Sequence, residues 1–202
     1  NPRAARVKRA RRLATREFRQ DQRQFLAEGR QAVGEALRGA QTGEVTVREL
    51  FMTSAAVERH PDLLELATAA GIATIQCSET VVAALSETVT PQGLVAVCDF
   101  LDRPVTQVVS VASRLVVLLA EIRDPGNAGS VLRAADATGA DSVIFSRGSV
   151  DPYNGKVVRA SVGGLFHVPF AMDVSVEDSV RAAHAGGLRV VEFTHMVMGP
   201  AV

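Results

Sequence analysis

The stretch "EIRDPGNAGSVLRAADATGAD" (Glu121–Asp141) decides how this chain is read. An apolar run, Leu115–Ala120, leads into it and has the character of a buried parallel strand. An Asp-Pro-Gly turn follows, and the spacing then predicts a helix over Asn127–Thr138, stopped by Gly139. A strand-to-helix corner of this kind belongs to an open parallel α/β sheet, in which ligands gather outside the carboxyl ends of the strands. Gly126 and Gly129 remove side chains, which lets another backbone approach. The first-turn N–H groups of the helix favour an anion. The corner is not a Walker A loop, since no Gly-Lys-Ser/Thr follows, and its G-x-x-G spacing is not the dinucleotide fingerprint. Asp124 or Asn127 could simply cap the helix. Arg133 is harder to dismiss, because it lies in the otherwise small and apolar "SVLRAADA". A cation there needs an anionic partner, a route to solvent, or a role; the partner could be Asp136 three residues on, or the phosphate of a bound polyanion.

The same alternation extends outward. "DSVIFS" reads as a strand, "YNGKVVRASVGG" as a short helix ending at Gly163-Gly164, and "FHVPFAM" as a strand broken by Pro169. "SVEDSVRAAHAGG" reads as a helix with Ser175 as its cap and Gly186 as its stop, followed by a strand in "LRVVEF". Upstream, Val45–Thr53 alternates as a strand does. A helix in "HPDLLELATAAG", a strand in "IATIQC", a Ser78-capped helix and a strand in "GLVAVCDF" complete a β-α-β-α-β unit from about Val45 to Phe100. The patterns divide the chain at 1–100, a linker at 101–110, and 111–202.

The 202 residues carry no net charge, but the average hides a gradient. Residues 1–30 hold ten Lys/Arg against three Asp/Glu, a surplus of seven that the remainder must offset. "RVKRARRLATREFRQDQRQFLAEG" is expected to open as a basic helix with an incomplete stripe of Val7, Leu13, Phe18 and Phe25. Arg6, Lys8, Arg9, Arg12 and Arg16 are its candidate phosphate contacts, the alternative being a solvated helix face. Cys77 and Cys98 form no C-x-x-C pair and are expected as plain thiols, which fits a cytoplasmic setting. The four scattered histidines suggest no zinc site, and no apolar run reaches membrane-spanning length. The first residue is Asn1 rather than Met, so the natural start is expected upstream.

"DPGNAGSVLRAADATGAD" resembles the first signature of the SpoU/TrmH group of RNA ribose 2′-O-methyltransferases, an Asn followed by an Arg six residues later. "KVVRASVGGLFHVPF" (Lys156–Phe170) resembles the segment that follows in that group. "FLAEGRQAVGEAL" and "TPQGLVAV" resemble its L30e-like substrate-binding domain. The resemblance implies an L30e-like α/β domain followed by a parallel-sheet SPOUT methyltransferase domain with a trefoil knot at its carboxyl end. It implies S-adenosylmethionine as methyl donor, RNA as substrate (ribosomal before transfer RNA), and a homodimer. Asn127 and Arg133 match the catalytic pair, and Arg159 and Ser161 fall in the segment expected near RNA.

Two further signatures of the group, Gly-x-Glu-x-x-Gly and Ser-Leu-Asn, are absent, since after "RVVEFTH" the chain reads "MVMGPAV" and stops. Thr194 lies where the cofactor loop should begin and is the one candidate cofactor contact. The chain is therefore expected to be incomplete at its knot, and inactive by itself. Guanidinium keeps its proton beyond about pH 12, so Arg133 is read as a grip on phosphate and developing alkoxide charge rather than as a base. The competing reading is an RNA-binding protein without catalysis, using the basic arm and the L30e-like unit.

Overall fold

The computed structural model describes residues 4–191. The first half runs α1 (Ala5–Arg12), α2 (Arg16–Gln22), β1 (Gln24–Glu28), α3 (Gly29–Thr42), β2 (Val47–Thr53), α4 (Ser54–Arg59), α5 (Pro61–Ala69), β3 (Ala73–Cys77), α6 (Glu79–Leu85) and β4 (Leu94–Asp99). Its four strands form one sheet in the order β1-β4-β2-β3, with β2 and β3 parallel and β4 antiparallel to both neighbours. Alternation along the strands assigns the two faces. Leu50, Met52, Leu94, Ala96 and Cys98 point toward α3 and α5, packing with Val33, Leu37, Leu63 and Ala67. Phe51, Val95 and Val97 point the other way, toward Val7, Ala10 and Leu13 beside α1 and toward Val81, Val82 and Leu85 of α6.

The second half contains α7 (Val105–Val108), β5 (Val116–Leu119), α8 (Pro125–Ala137), β6 (Ser142–Ser146), α9 (Gly155–Ala160), α10 (Gly164–His167), β7 (Phe170–Val174) and α11 (Val176–Ala185). Its sheet is parallel throughout, in the order β5-β6-β7. β6 is buried along its whole length, as a central parallel strand must be. Val143 and Phe145 face the α8–α10 side, while Ile144 faces Val108 and Val109 beside α7 and Ala182 of α11. The α/β fold with a parallel second sheet is the one the sequence suggests.

Several local expectations are corrected. The basic segment is not one helix but two, separated by a turn, and Phe25 belongs to a strand that pairs in register with Cys98. Val7 and Leu13 still point inward, so the helix docks on the sheet rather than projecting as an arm. The 101–110 linker is extended only as far as Pro104, because Val105–Val108 forms α7 and buries Val108 against the second sheet. Within it, the Arg103 N–H donates to the Phe170 carbonyl at 2.9 Å, which satisfies a group on the edge strand. Gly164–His167 adds a short helix, and β7 begins only after Pro169, whose ring has no N–H for a ladder. Residues 188–191 are not in a strand, and the rest of "LRVVEF", Thr194 and the expected knot lie outside the described residues. Ser175 does cap α11, accepting from the Asp178 N–H at 3.0 Å, whereas Ser78 precedes α6 without a side-chain bond.

The two halves share one core. Phe25 of the first sheet meets Tyr153 at 4.8 Å between ring centroids and Phe166 at 6.0 Å. Tyr153, the chain's single tyrosine, is buried and stacks on Phe100 at 3.8 Å. Its hydroxyl accepts the N–H groups of Leu101 (2.6 Å) and Asp102 (2.8 Å) and donates to Asp102 Oδ1 (2.7 Å). Both burial and the neighbouring carboxylate push its pKa up, so the hydroxyl keeps the proton it donates.

Candidate functional site

At the corner after β5, Asp124 takes the capping role. Its Oδ1 accepts the Asn127 backbone N–H at 2.7 Å, and Pro125 opens the helix where an N–H is not needed. The Asn127 carboxamide is thereby left exposed, without a hydrogen bond among the described residues. Arg133 is also exposed and makes no ion pair with the described residues. Its acidic neighbour Asp136 is engaged elsewhere, accepting from His167 Nδ1 at 2.9 Å. The intrahelical Arg133–Asp136 pair allowed by spacing is therefore not made. Six positions on an α-helix span about 9 Å of rise and about 240° of rotation, so Asn127 and Arg133 occupy different faces of α8.

Gly129 has another purpose than ligand approach. A Cβ there would overlap Ala160 and come within 2.8 Å of the Val157 carbonyl. The glycine is what lets α8 lie against α9. Lys156, at the start of α9, adds an exposed cation to the corner, with its Nζ 4.0 Å from Asp124 Oδ2. Its proximity to Asp124 follows from the packing of two helices, which no local pattern carries.

Arg159 and Ser161 turn inward. Arg159 Nη1 donates to Glu28 Oε2 at 3.0 Å and lies 3.7 Å from Glu87, joining α9 to the first half. Glu28 also accepts from the Glu87 N–H and the Thr88 hydroxyl. Ser161 is fully buried, and its hydroxyl donates to the Val158 carbonyl at 2.8 Å, closing the end of α9. In this arrangement Arg159 is engaged by Glu28 and Glu87, and Ser161 is buried.

The basic segment divides likewise. Lys8, Arg11 and Arg16 are exposed without ion pairs among the described residues. Arg6 reaches Glu49 at 3.8 Å, Arg9 donates to the Gln22 carboxamide at 3.1 Å, and Arg12 lies 3.9 Å over the Phe18 ring. Arg19, by contrast, is buried on Asp151 at 2.7 Å, and its Nη1 donates to the carbonyls of Leu13 and Ala14.

At the carboxyl ends of β5 and β6 the polar groups already serve one another. Ser146 Oγ accepts the Glu121 N–H, Ser149 Oγ donates to the Leu119 carbonyl, and the Val150 N–H donates to the Ile122 carbonyl. No buried polar side-chain atom is left unpaired at that end, since the three that are unpaired belong to Thr74, Ser86 and Ser142. No group of His, Cys, Asp and Glu among the described residues could hold a metal ion, and no described helix is long and apolar enough to cross a membrane.

Residues 4–96 match the MRM3-like substrate binding domain, and residues 114–199 match the SpoU rRNA methylase family. The boundary between the matches falls on the crossing between the two sheets. The chain is 35% identical over 163 residues to the Bacillus subtilis 23S rRNA (guanosine(2553)-2′-O)-methyltransferase RlmP, covering 81% of this chain and 60% of that protein. It thus spans less than two thirds of that relative's length. Among solved structures, it resembles the SpoU methyltransferase AviRb from Streptomyces viridochromogenes in complex with AdoMet, with a TM-score of 0.76, 29% identity, and coverage of 92% of this chain and 70% of that one. A TrmH-family protein from Porphyromonas gingivalis is similar at a TM-score of 0.74 and 30% identity, with 91% of this chain and 68% of that chain covered. Two matched units in order, over a shared fold and the Asn127–Arg133 signature, leave one assignment: the chain belongs to the SpoU/TrmH family of RNA methyltransferases.

Proposed function

We propose that the protein of which this chain is part transfers a methyl group from S-adenosylmethionine to a ribose 2′-hydroxyl of RNA. Ribosomal RNA is the substrate that the relatives' chemistry favours. Residues 1–100 hold the RNA and residues 111–202 carry the transfer, in a homodimeric cytoplasmic enzyme. The observation that carries this reading is the state of Arg133. It is an exposed cation on the signature helix whose nearby acid is committed to His167. In that state it is available to a phosphate or to developing negative charge on the attacking oxygen. Asn127, on the preceding turns, orients the ribose or the backbone beside it. The donor supplies the electrophilic methyl. The proton leaves the hydroxyl for water or phosphate, because guanidinium does not give up its own. Thr194 belongs to this proposal as a donor contact.

The test uses the full-length protein with ribosomal RNA and radiolabelled S-adenosylmethionine. Arg133→Ala is expected to lower kcat/KM by about 100-fold or more, and Arg133→Lys by less, since a point charge remains. Equal losses would assign the role to the planar fork of the guanidinium rather than to its charge. Absence of transfer by the wild type, with salt-dependent RNA binding retained, would favour the non-catalytic RNA-binding reading. Residues 1–202 alone, lacking Gly-x-Glu-x-x-Gly, are expected to bind the methyl donor weakly in calorimetry.

A further inference from the structure

α1 covers only part of the sheet face on which it docks. Val7, Ala10 and Leu13 seal it to Val95 and Val97, but beside this contact an open groove of about 700 Å³ remains. Its floor is apolar, from Ala10, Leu13 and Val97, and its rim carries Arg6, Arg9 and Arg48 with the carboxamide of Gln24 and one carboxylate, Glu49. The three arginines differ in how far they are already neutralised. Arg48 is committed to Asp99, with bonds of 2.5–3.0 Å. Arg6 has only the long 3.8 Å contact with Glu49. Arg9 makes no ion pair among the described residues, and its two partners are the neutral oxygens of Gln22 and Gln24 at 3.1 and 3.4 Å. No acidic residue interrupts α1.

We infer that this groove is a subsite for an unpaired RNA nucleotide, with its phosphate held by Arg6 and Arg9 and its base laid on the Leu13–Val97 floor. The inference rests on the RNA-binding reading above and gives it a place. An apolar floor beside one arginine without an ion pair among the described residues, Arg9, and a second, Arg6, held only by a long contact to Glu49 matches the two halves of a nucleotide, a flat base and a charged phosphate. The Gln24 Oε1, held only by the long 3.4 Å bond from Arg9, is an acceptor beside the floor, while its Nε2 donates to Asp99 at 3.0 Å; guanidinium planes can stack on a base as aromatic rings do. A base inside a duplex cannot reach the floor, because its faces are already stacked. The groove therefore selects single-stranded loops or bulges. An anionic surface without a base gains only the rim.

The experiment compares substitutions that remove the same charge from opposite flanks of α1. Binding of a fluorescein-labelled 12-nucleotide single-stranded RNA is measured by anisotropy with the 202-residue chain. Arg6→Ala/Arg9→Ala is expected to weaken it by about tenfold or more, and Lys8→Ala/Arg11→Ala by only about twofold. Ala5→Trp, which fills the groove from an exposed position without changing charge, is expected to weaken binding by about tenfold as well. The same sequence as a blunt duplex is expected to bind more weakly than the single strand. Equal losses in the two double variants, or no effect of Ala5→Trp, would overturn the groove while leaving RNA binding in place. Equal affinity for the duplex would overturn the unpaired nucleotide. A poly-glutamate 12-mer competing as well as RNA would mark an acidic polypeptide site instead. No binding of any RNA by the wild type would remove the underlying reading itself.

Discussion

Arg19 and His167 each carry a positive charge from one half of the molecule to a carboxylate in the other, yet the two clasps are built for different conditions. Arg19 leaves α2 and meets Asp151 where both side chains are only 4% exposed. Every direction around it is filled, with Asp151 on Nε and Nη2 and two carbonyls on Nη1. His167 leaves α10 and lies between Glu35 Oε2 at 3.0 Å and Asp136 Oδ2 at 2.9 Å, with 41% of its side chain open to solvent. The first clasp cannot rearrange without exposing the core. The second can lose its proton and is reached by water. Difference in burial, not in distance, separates a fixed joint from an adjustable one.

The comparison is broken most severely by removing one partner of the buried pair. Arg19→Ala leaves Asp151 charged, buried and without its partner. The expected loss of stability is about 3–5 kcal/mol in urea unfolding. Asp151→Asn keeps the shape but strands the guanidinium, and a comparable loss is expected. If either change costs less than about 1 kcal/mol, the seam is wetter than its burial implies.

Tyr153→Phe sharpens the contrast within the fixed side. The ring, its stacking on Phe100 and its contact with Phe25 are retained, but the Leu101 and Asp102 N–H groups lose their acceptor. A loss of about 1–3 kcal/mol is expected, the ordinary cost of leaving buried donors unmet. Gly129→Ala should cost about the same by another route, since the new methyl overlaps Ala160 and forces α8 away from α9. The two separate by amide exchange. The first should deprotect 101–102 and the second the facing turns of α8 and α9.

Much of this was legible before any coordinates. Strand and helix periods located β2, β4 and the second sheet, and the cap at Ser175 was readable because its bond is local. The strand-to-helix corner at Asp124 and Pro125 was readable for the same reason. β1 was hidden because "RQDQRQFLAEG" has a polar, charged approach that reads as a continuing helix. Only its pairing with β4 makes it a strand. The clasps were hidden altogether. Arg19 and Asp151 are separated by 132 positions, as are Glu35 and His167. The bond from Arg159 to Glu28 was hidden for the same reason, because its partner lies 131 positions away. One signal was available in principle. Tyr153 is the single tyrosine in a chain with few aromatics, which suggests a specific hydroxyl contact, but not its partner.

The smallest expected effect tests the adjustable clasp, through its dependence on pH. Both ring nitrogens of His167 face carboxylates, so both must donate, which only the imidazolium can do. Partial burial opposes that charge. The hydrogen bonds to Asp136 and Glu35 outweigh it and hold the pKa above the usual 6.5. Glu35 is the converse case. Burial would raise its pKa, but His167 and Arg38 hold it below the usual 4.5. A raised histidine pKa means that the folded chain keeps a proton the unfolded chain has lost. The stabilisation is complete below the unfolded value and fades as pH rises through the folded one. For Glu35 it is complete above the unfolded value and fades as pH falls through the folded one. The clasp is therefore strongest in mildly acid solution and loosens on the alkaline side. His167→Gln keeps a donor but no charge, so its melting temperature should trail the wild type's by a few degrees at about pH 6 and converge with it by about pH 9. Arg19 supplies the control, since no histidine takes part in that clasp. Parallel melting curves across the whole interval would show that His167 stays neutral between its two acids, and that the seam has one kind of joint rather than two.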